Sequence, residues 1–353
     1  MDAKWYDLFS KNGNRLKPGK LYMQVLVGMA EPQQTIDAFV GTWNVGNARP
    51  PADLSPWLPS DNSFELVAIG AQECDYQPRA PFIECSKDWN HTLQQHLGDR
   101  YKLLHATSRG QMRLVIFVRD DAEKAISEVE NDSEATGVGN VVANKGGLCI
   151  SFKFWDTGMC FVSCHFAAHD GQCETRNGNY RQIASSLKVG LQSMDLLNQF
   201  HHVFWLGDLN YRLDFDKLEE KPLTPERRFW STIVKEIHGN EWKELLQYDE
   251  LRREKNACRV LVGFKEGEIT FPPTFKMQRD FLDHYDQKRM PAWCDRVLWK
   301  TLQGCQAHVT AYTSAPSILT SDHKPVGASF KVTSYALPST TPTLDGSDED
   351  DKR

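Results

Sequence analysis

The chain of 353 residues has nine cysteines, an odd number, and no C-x-x-C pair among them. A disulfide framework and a zinc site are both disfavoured, and the cysteines read as reduced thiols of a cytosolic protein. No uncharged apolar run approaches the roughly 20 residues needed to span a bilayer. The start, MDAKWYDLFSKNG, lacks the apolar core of a signal peptide. A membrane substrate is therefore expected to be met from the cytosol. Positive charge is also in deficit. The net charge is −6, and half of it lies in the last nine residues, DGSDEDDKR, with five acids and two bases. A mildly acidic body argues against a general nucleic-acid binder, which would present a basic face. GVGNVVANKGG is no Walker A loop, since no G-K-[ST] follows at the required spacing, and no internal repeat occurs.

What is present is ordinary globular composition, 40% hydrophobic and 25% charged. Residues 1–34 read as a lead-in, with LYMQVLV either a strand or the tail of a preceding domain. Residues 334–353 are rich in Pro, Ser, Thr and acid, and are expected to be disordered. Between them, β-branched and aromatic runs predict strands at 36–43, 64–72, 112–119, 147–154, 159–165, 202–207, 294–300, 307–313 and 325–332. Ile183, Leu187, Leu191, Met194 and Leu197 repeat at helical spacing. Thr224 followed by Pro225 predicts a helix over 225–237. Strands and helices sharing one chain predict an α/β layered domain.

Several predicted strands end alike. IDAFVGTW runs into Asn44, FELVAIGAQ into Glu73, MCFVSC into His165, and HVFWLG into Asp208 and Asn210. TSDHKPV places Asp322 and His323 just before another strand. One polar residue after a strand is unremarkable, but five such ends can converge on one rim of a layered sheet. Asn, Glu, Asp, Asn and Asp are oxygen donors, the ligands Mg²⁺ prefers beside water and substrate phosphate. Two His and no Cys disfavour structural zinc. This set suits metal-assisted hydrolysis of a phosphoester.

GTWNVG, AQECD, ANKGG, SCHFAAH, FWLGDLNYRL, PAWCDRVLW and SDHKPV, in that order, resemble the inositol polyphosphate 5-phosphatase family over about residues 35–333. The short motifs occur across the endonuclease/exonuclease/phosphatase superfamily, whereas WLGDLNYR and PAWCDR are family-specific. The resemblance implies a deoxyribonuclease-I-like four-layer α/β sandwich, two mainly antiparallel β-sheets packed together and flanked by helices. It implies Mg²⁺-dependent removal of the 5-phosphate from phosphoinositide lipids or soluble inositol polyphosphates, by in-line attack of water.

By the same resemblance Glu73 and Asn44 belong to the metal site, with Asp322 a second carboxylate there. Asp208 activates the water and Asn210 holds the phosphate. His323 contacts the phosphate and is oriented by Asp295, the logic of an acid fixing a His tautomer. His165 is a second His on the scissile phosphate, and His169 either touches phosphate or braces its loop. Asn144 and Lys145 match the element for the 1-phosphate. Phe275, Lys276, Lys288 and Arg289 lie where the family recognises the 4-phosphate. Phe275 replaces the usual Tyr and so lacks a hydroxyl, and Lys288 is displaced by one position. Arg176, Asn177 and Tyr180 are expected to support the His165 loop or to pack a helix start.

The loop YQPRAPFIECS offers Phe82 and Ile83 beside Arg79, either for peripheral membrane contact on the cytosolic face or for burial. A monomer that binds no nucleic acid is expected. The other classes left open are a metal-dependent nuclease of the same superfamily and a catalytically dead phosphoinositide-binding module.

Overall fold

The computed structural model describes residues 4–9, 15–23, 34–78, 82–136, 144–215 and 229–334. Strands β1 (Lys4–Phe9) and β2 (Arg15–Met23) pair antiparallel with each other. LYMQVLV meets β2 as far as Met23; residues 24–33, the expected acidic tail from 335 and the expected helix start at 225–228 lie outside the described residues.

Two six-stranded sheets follow. The first runs in the order β13 (Ala307–Ser314), β14 (Val326–Ser334), β3 (Gln34–Asn44), β4 (Leu66–Gln72), β6 (Met112–Arg119) and β5 (Tyr101–Arg109). The second runs β11 (Lys265–Glu266), β12 (Asp295–Thr301), β10 (His202–Asp208), β9 (Thr157–His165), β8 (Gly146–Phe154) and β7 (Ile126–Ala135). Each sheet has one parallel pair, β3 with β4 and β9 with β10, and is otherwise antiparallel.

The period of two in the central strands builds three apolar layers. Leu66 and Ala68 of β4, and Phe204 and Leu206 of β10, face the core between the sheets. Val67, Ile69 and Ala71 face outward onto α1 (Cys85–Leu97), which answers with Trp89, Leu93 and Leu97, four residues apart on one face. Val203 and Trp205 face outward onto α2 (Cys173–Ser186), through Tyr180 and Ile183. Helix, sheet, sheet and helix make the four layers expected. Gly70 lets the sheets approach: a Cβ there would lie 2.4 Å from Ser163 Oγ of the facing sheet.

All nine expected strands are found. β5 and β7 were not expected. β7 (ISEVENDSEA) is an exposed, acid-rich sheet edge, where alternation gives no signal. The expected helix through Ile183–Leu197 is corrected. α2 lies upstream and stops at Ser186, because Leu187 turns extended and Gly190 takes φ +69°. Asp132 and Glu130 of β7 accept the Lys188 and Gly190 amides, tying this segment to the sheet. A separate short helix, α3 (Leu196–Gln199), starts at the Asp195 cap. The apolar spacing thus joined two elements. Helix α4 (Trp230–His238) begins later than expected, and α5 (Glu250–Asn256) is capped by Asp249.

Candidate active site

The rim is built by register. Asp208, last of β10, pairs with His165 at the end of β9 and with Asp295 at the start of β12. In the other sheet Asn44 pairs with Gln72, the residue before Glu73. The parallel pair of each sheet thus ends at one edge, where the loop to β14 delivers His323. Inside β10, Gly207 lets the strand lie close against β9: its φ is +138°, and a Cβ would lie 2.0 Å from the Cys164 carbonyl oxygen.

Asp208 is the centre. Its Oδ2 accepts from Asn44 Nδ2 at 2.9 Å and lies 3.2 Å from His165 Nε2 and 3.9 Å from His323 Nε2. His323 Nδ1 is 2.9 Å from Asp295 Oδ2, which also accepts the Thr274 hydroxyl at 2.7 Å. Burial opposes the His323 charge, but Asp295, Asp208 and Asp322 outweigh it and push its pKa up to about 9. Burial would also raise Asp208; His323, His165 and Lys145 reverse this and hold it well below the usual carboxylate range. Burial, then Lys145, pulls His165 down. Asp208 thus sits beside His323, with Asp295 behind the ring, in surroundings that favour a carboxylate and an imidazolium. Arg296, the neighbour that could have claimed Asp295, instead pairs with Asp249 at 3.0 Å and Glu266 at 2.6 Å.

Asp208, Asp295 and His323 offer ligand atoms within 4.8 Å of one another. These groups are already engaged with one another, which suits a charge relay better than a metal cage. Glu73 differs. It lines the cavity, its side chain is 34% exposed, and among the described residues only His165 Nε2, at 3.9 Å, pairs with its carboxylate. An open carboxylate near the Asn44 amide, whose Oδ1 accepts only the Gly46 amide among the described residues, fits a hard cation with oxygen ligands and water.

A cavity of about 420 Å³ opens over this rim. Its lining mixes the acids and polar groups Glu73, Asp208, Asn210, Asp322 and His323 with the bases Lys145, Lys276, Lys288 and Arg289, together with Phe275 and His169. Asn44, His165 and Asp295 stand behind that wall. Asn144 is adjacent in sequence but is not on the lining, and its Oδ1 is buried without a hydrogen bond. Burial lowers the Lys145 pKa, and its ammonium contacts His165 Nε2. Asn210 reaches the cavity by a turn past the strand end. The strand ends at Asp208, and Asn210 takes φ 55°, so a left-handed turn rather than strand alternation aims it.

Asp322 departs from the expected open metal-side carboxylate. Lys276 Nζ takes its Oδ2 and Arg279 Nη2 its Oδ1, the latter at 3.2 Å. Burial would raise its pKa, but His323, Lys276 and Arg279 hold it at about 2. Arg279 also donates to the Gly46 carbonyl at 2.7 Å. Arg279, Arg212, Ala168 and Asp286 at the site were not anticipated. Arg212 stood in the LNYR motif, whereas nothing in the sequence marks Arg279. Arg176 donates to the carbonyls of Ala167 and His169, and so holds the loop after His165. Tyr180 packs on Trp205 instead, and Asn177 bonds Glu254 and Tyr211. Phe82 is fully exposed and Ile83 is 43% exposed, both in the loop after Glu73 and off the cavity lining.

The family described as Endonuclease/Exonuclease/phosphatase family 2 matches residues 41–329. The chain belongs to this family. Among curated proteins, this family member is 35% identical over 321 residues to phosphatidylinositol 3,4,5-trisphosphate 5-phosphatase 2B of Danio rerio, covering 84% of the chain and 25% of that protein. It is 33% identical to phosphatidylinositol 3,4,5-trisphosphate 5-phosphatase 1 of Homo sapiens, covering 84% of the chain and 26% of that protein. The chain thus spans about a quarter of the length of these relatives. Among solved structures, the inositol polyphosphate 5-phosphatase domain of SPsynaptojanin, in complex with inositol (1,4)-bisphosphate and calcium ion, matches with TM-score 0.71 and 28% identity over 84% of both chains. A Cimex nitrophorin in a ferrous NO complex matches with TM-score 0.67 and 22% identity, over 85% of this chain and 99% of that one. That second likeness shows the fold alone, so function has to be argued from the site.

Proposed function

We propose that the chain is a Mg²⁺-dependent phosphatase that removes the 5-phosphate from phosphoinositide lipids or soluble inositol polyphosphates. The observation that carries this reading is the buried Asp208 carboxylate beside His323, which Asp295 backs, on a cavity that the open Glu73 shares with Lys145, Lys276, Lys288 and Arg289. The relatives named for this activity and the neighbour bound to an inositol bisphosphate support it.

Glu73 and Asn44 would hold the metal, which when bound polarises phosphoryl oxygens. Asp208 orients a water and accepts its proton. The His323 imidazolium, fixed by Asp295 at Nδ1, presents Nε2 to the charge that develops on phosphorus. Asn210 offers an amide donor to the same group. Lys145 is assigned to the 1-phosphate, and Lys276, Lys288 and Arg289 to the 4-phosphate. Asp322 serves here chiefly to fix Lys276. A cysteinyl phosphoenzyme does not fit, since the Cys294 thiol is fully buried and burial pushes its pKa far up.

No described helix is long and apolar enough to cross a membrane. The exposed Phe82 and Ile83 support peripheral contact with the lipid surface.

The test is phosphate release from vesicles bearing phosphatidylinositol 4,5-bisphosphate, with and without Mg²⁺, beside plasmid DNA as competitor substrate. Wild type is expected to release phosphate only with metal and to leave DNA intact. Asp208→Asn, which keeps the shape, is expected to lower turnover by on the order of 10³-fold. Turnover retained by that variant would remove Asp208 from the water-activating role.

A further inference from the structure

Arg212 lies on the cavity wall, yet it is only 5% exposed and the chemistry above leaves it unused. Its contacts are specific. Nη2 donates to Asn210 Oδ1 at 2.7 Å, and Nε donates to the Asn210 carbonyl at 3.1 Å. Its backbone amide donates at 2.9 Å to Glu250 Oε2, the oxygen that also receives Arg176 Nη2 at 2.6 Å. Nη1 makes no hydrogen bond, and its ion-pair partner, Asp170 Oδ1, is 3.8 Å away on a largely exposed side chain. The guanidinium lies 4.5 Å over the Phe275 ring, and that ring is 4.5 Å from the His323 imidazole.

The two ends of an asparagine amide are chemically opposite, and a phosphate requires the NH₂ end. Arginine can only donate, so the end of Asn210 that meets Nη2 must be its oxygen. With Oδ1 committed, the NH₂ group gives one proton to the Phe166 carbonyl at 3.2 Å and keeps the other free. The same guanidinium stacks on the ring that packs against His323. One buried cation therefore touches Asn210 directly and reaches His323 through the Phe275 ring.

We propose that Arg212 is a positioning residue: it locks the Asn210 amide with its NH₂ end toward the cavity and, through the Phe275 ring, braces His323, so that both sides of the phosphate wall act as one unit. This rests on the reading of Asn210 and His323 as phosphate-facing groups. A planar fork is needed, since it must reach two acceptors of one residue while lying flat on an aromatic face. A lysine supplies the charge without that geometry.

The test uses Arg212→Lys, Arg212→Met, Asn210→Ala and the double variant Arg212→Lys/Asn210→Ala, with soluble inositol 1,4,5-trisphosphate and Mg²⁺. Arg212→Lys is expected to lower kcat by on the order of 10²-fold, the scale of a misplaced catalytic contact, while KM changes little. The double variant is expected to lose clearly less than the product of the two single losses, because the Asn210 amide is common to both and only the brace on His323 is separate. Independent losses that multiply, or a wild-type rate in Arg212→Lys, would overturn the proposal. Arg212→Met, which removes the charge as well as the fork, is expected to lose at least as much as Arg212→Lys, and should its fold fail, the lysine variant carries the comparison. The side-chain NH₂ signals of ¹⁵N-labelled Asn210 give a readout free of activity. Wild type should hold two well-separated, slowly exchanging protons that merge or broaden in Arg212→Lys; unchanged signals contradict the proposal even if the wild-type protein releases no phosphate.

Discussion

Asp295→Asn keeps the shape of the acid behind His323 and removes its charge. Asp295, Asp208 and Asp322 together move His323 from an ordinary 6.5 up to about 9, against the penalty of burial. One pKa unit corresponds to about 1.4 kcal/mol, so the net preference for the imidazolium, after the burial penalty, is on the order of 3 kcal/mol. Asp295 lies nearer the ring, at 2.9 Å, than Asp208 at 3.9 Å, and a paired opposite charge is worth about one to three units. Removing it should bring His323 down by about one to two units, since Asp208 and Asp322 remain. The alkaline limb of the kcat/KM profile should move from near 9 toward neutrality. An NMR titration of the His323 Cε1 proton should move with it. The raised folded pKa also carries a stability term, fully present below 6.5 and lost as pH rises through about 9. Urea unfolding of wild type should therefore show stability falling across that window, and Asp295→Asn should flatten the slope. If the NMR midpoint and the alkaline limb both stay in place, Asp295 does not hold the imidazolium and the relay is wrong.

Glu73→Gln should raise the Mg²⁺ concentration for half-maximal turnover by on the order of tenfold or more; an unchanged metal titration would move the site elsewhere. Lys276→Ala should slow substrates bearing a 4-phosphate more than those without one, measured as kcat/KM on the matched pair. An equal loss on both would reduce Lys276 to a partner of Asp322. Phe82→Ser should weaken binding to anionic vesicles by about 10- to 100-fold in a sedimentation assay, from the roughly 1.5–3 kcal/mol of burying such a ring, with turnover of soluble inositol phosphate unchanged. Equal vesicle binding would show that this loop does not insert.

The central strands were legible because both faces are covered, which makes VFWLG and LVAIGAQ continuous apolar runs that break where the chain meets the cavity. The edge strands β5 and β7 were not, since they are largely solvent-facing and carry no clear alternation. The helix near 183–197 failed because two apolar segments happened to keep helical spacing across Gly190. At the site, strand-end carboxylates and histidines were readable as oxygen and nitrogen donors. Which donor faces which was not. Asp322 stood in the sequence as a free carboxylate, and only the fold brings Arg279, 43 residues away, onto its Oδ1. Arg212 showed itself as a motif residue, but its grip on the Asn210 amide depends on a left-handed turn that sequence does not display.

The most direct measurement is product identification with soluble inositol 1,4,5-trisphosphate and Mg²⁺. The account predicts one equivalent of phosphate and inositol 1,4-bisphosphate as the sole organic product, with none formed in chelator. Phosphate lost from the 1- or 4-position, or nicking of plasmid DNA with no inositide turnover, would contradict it.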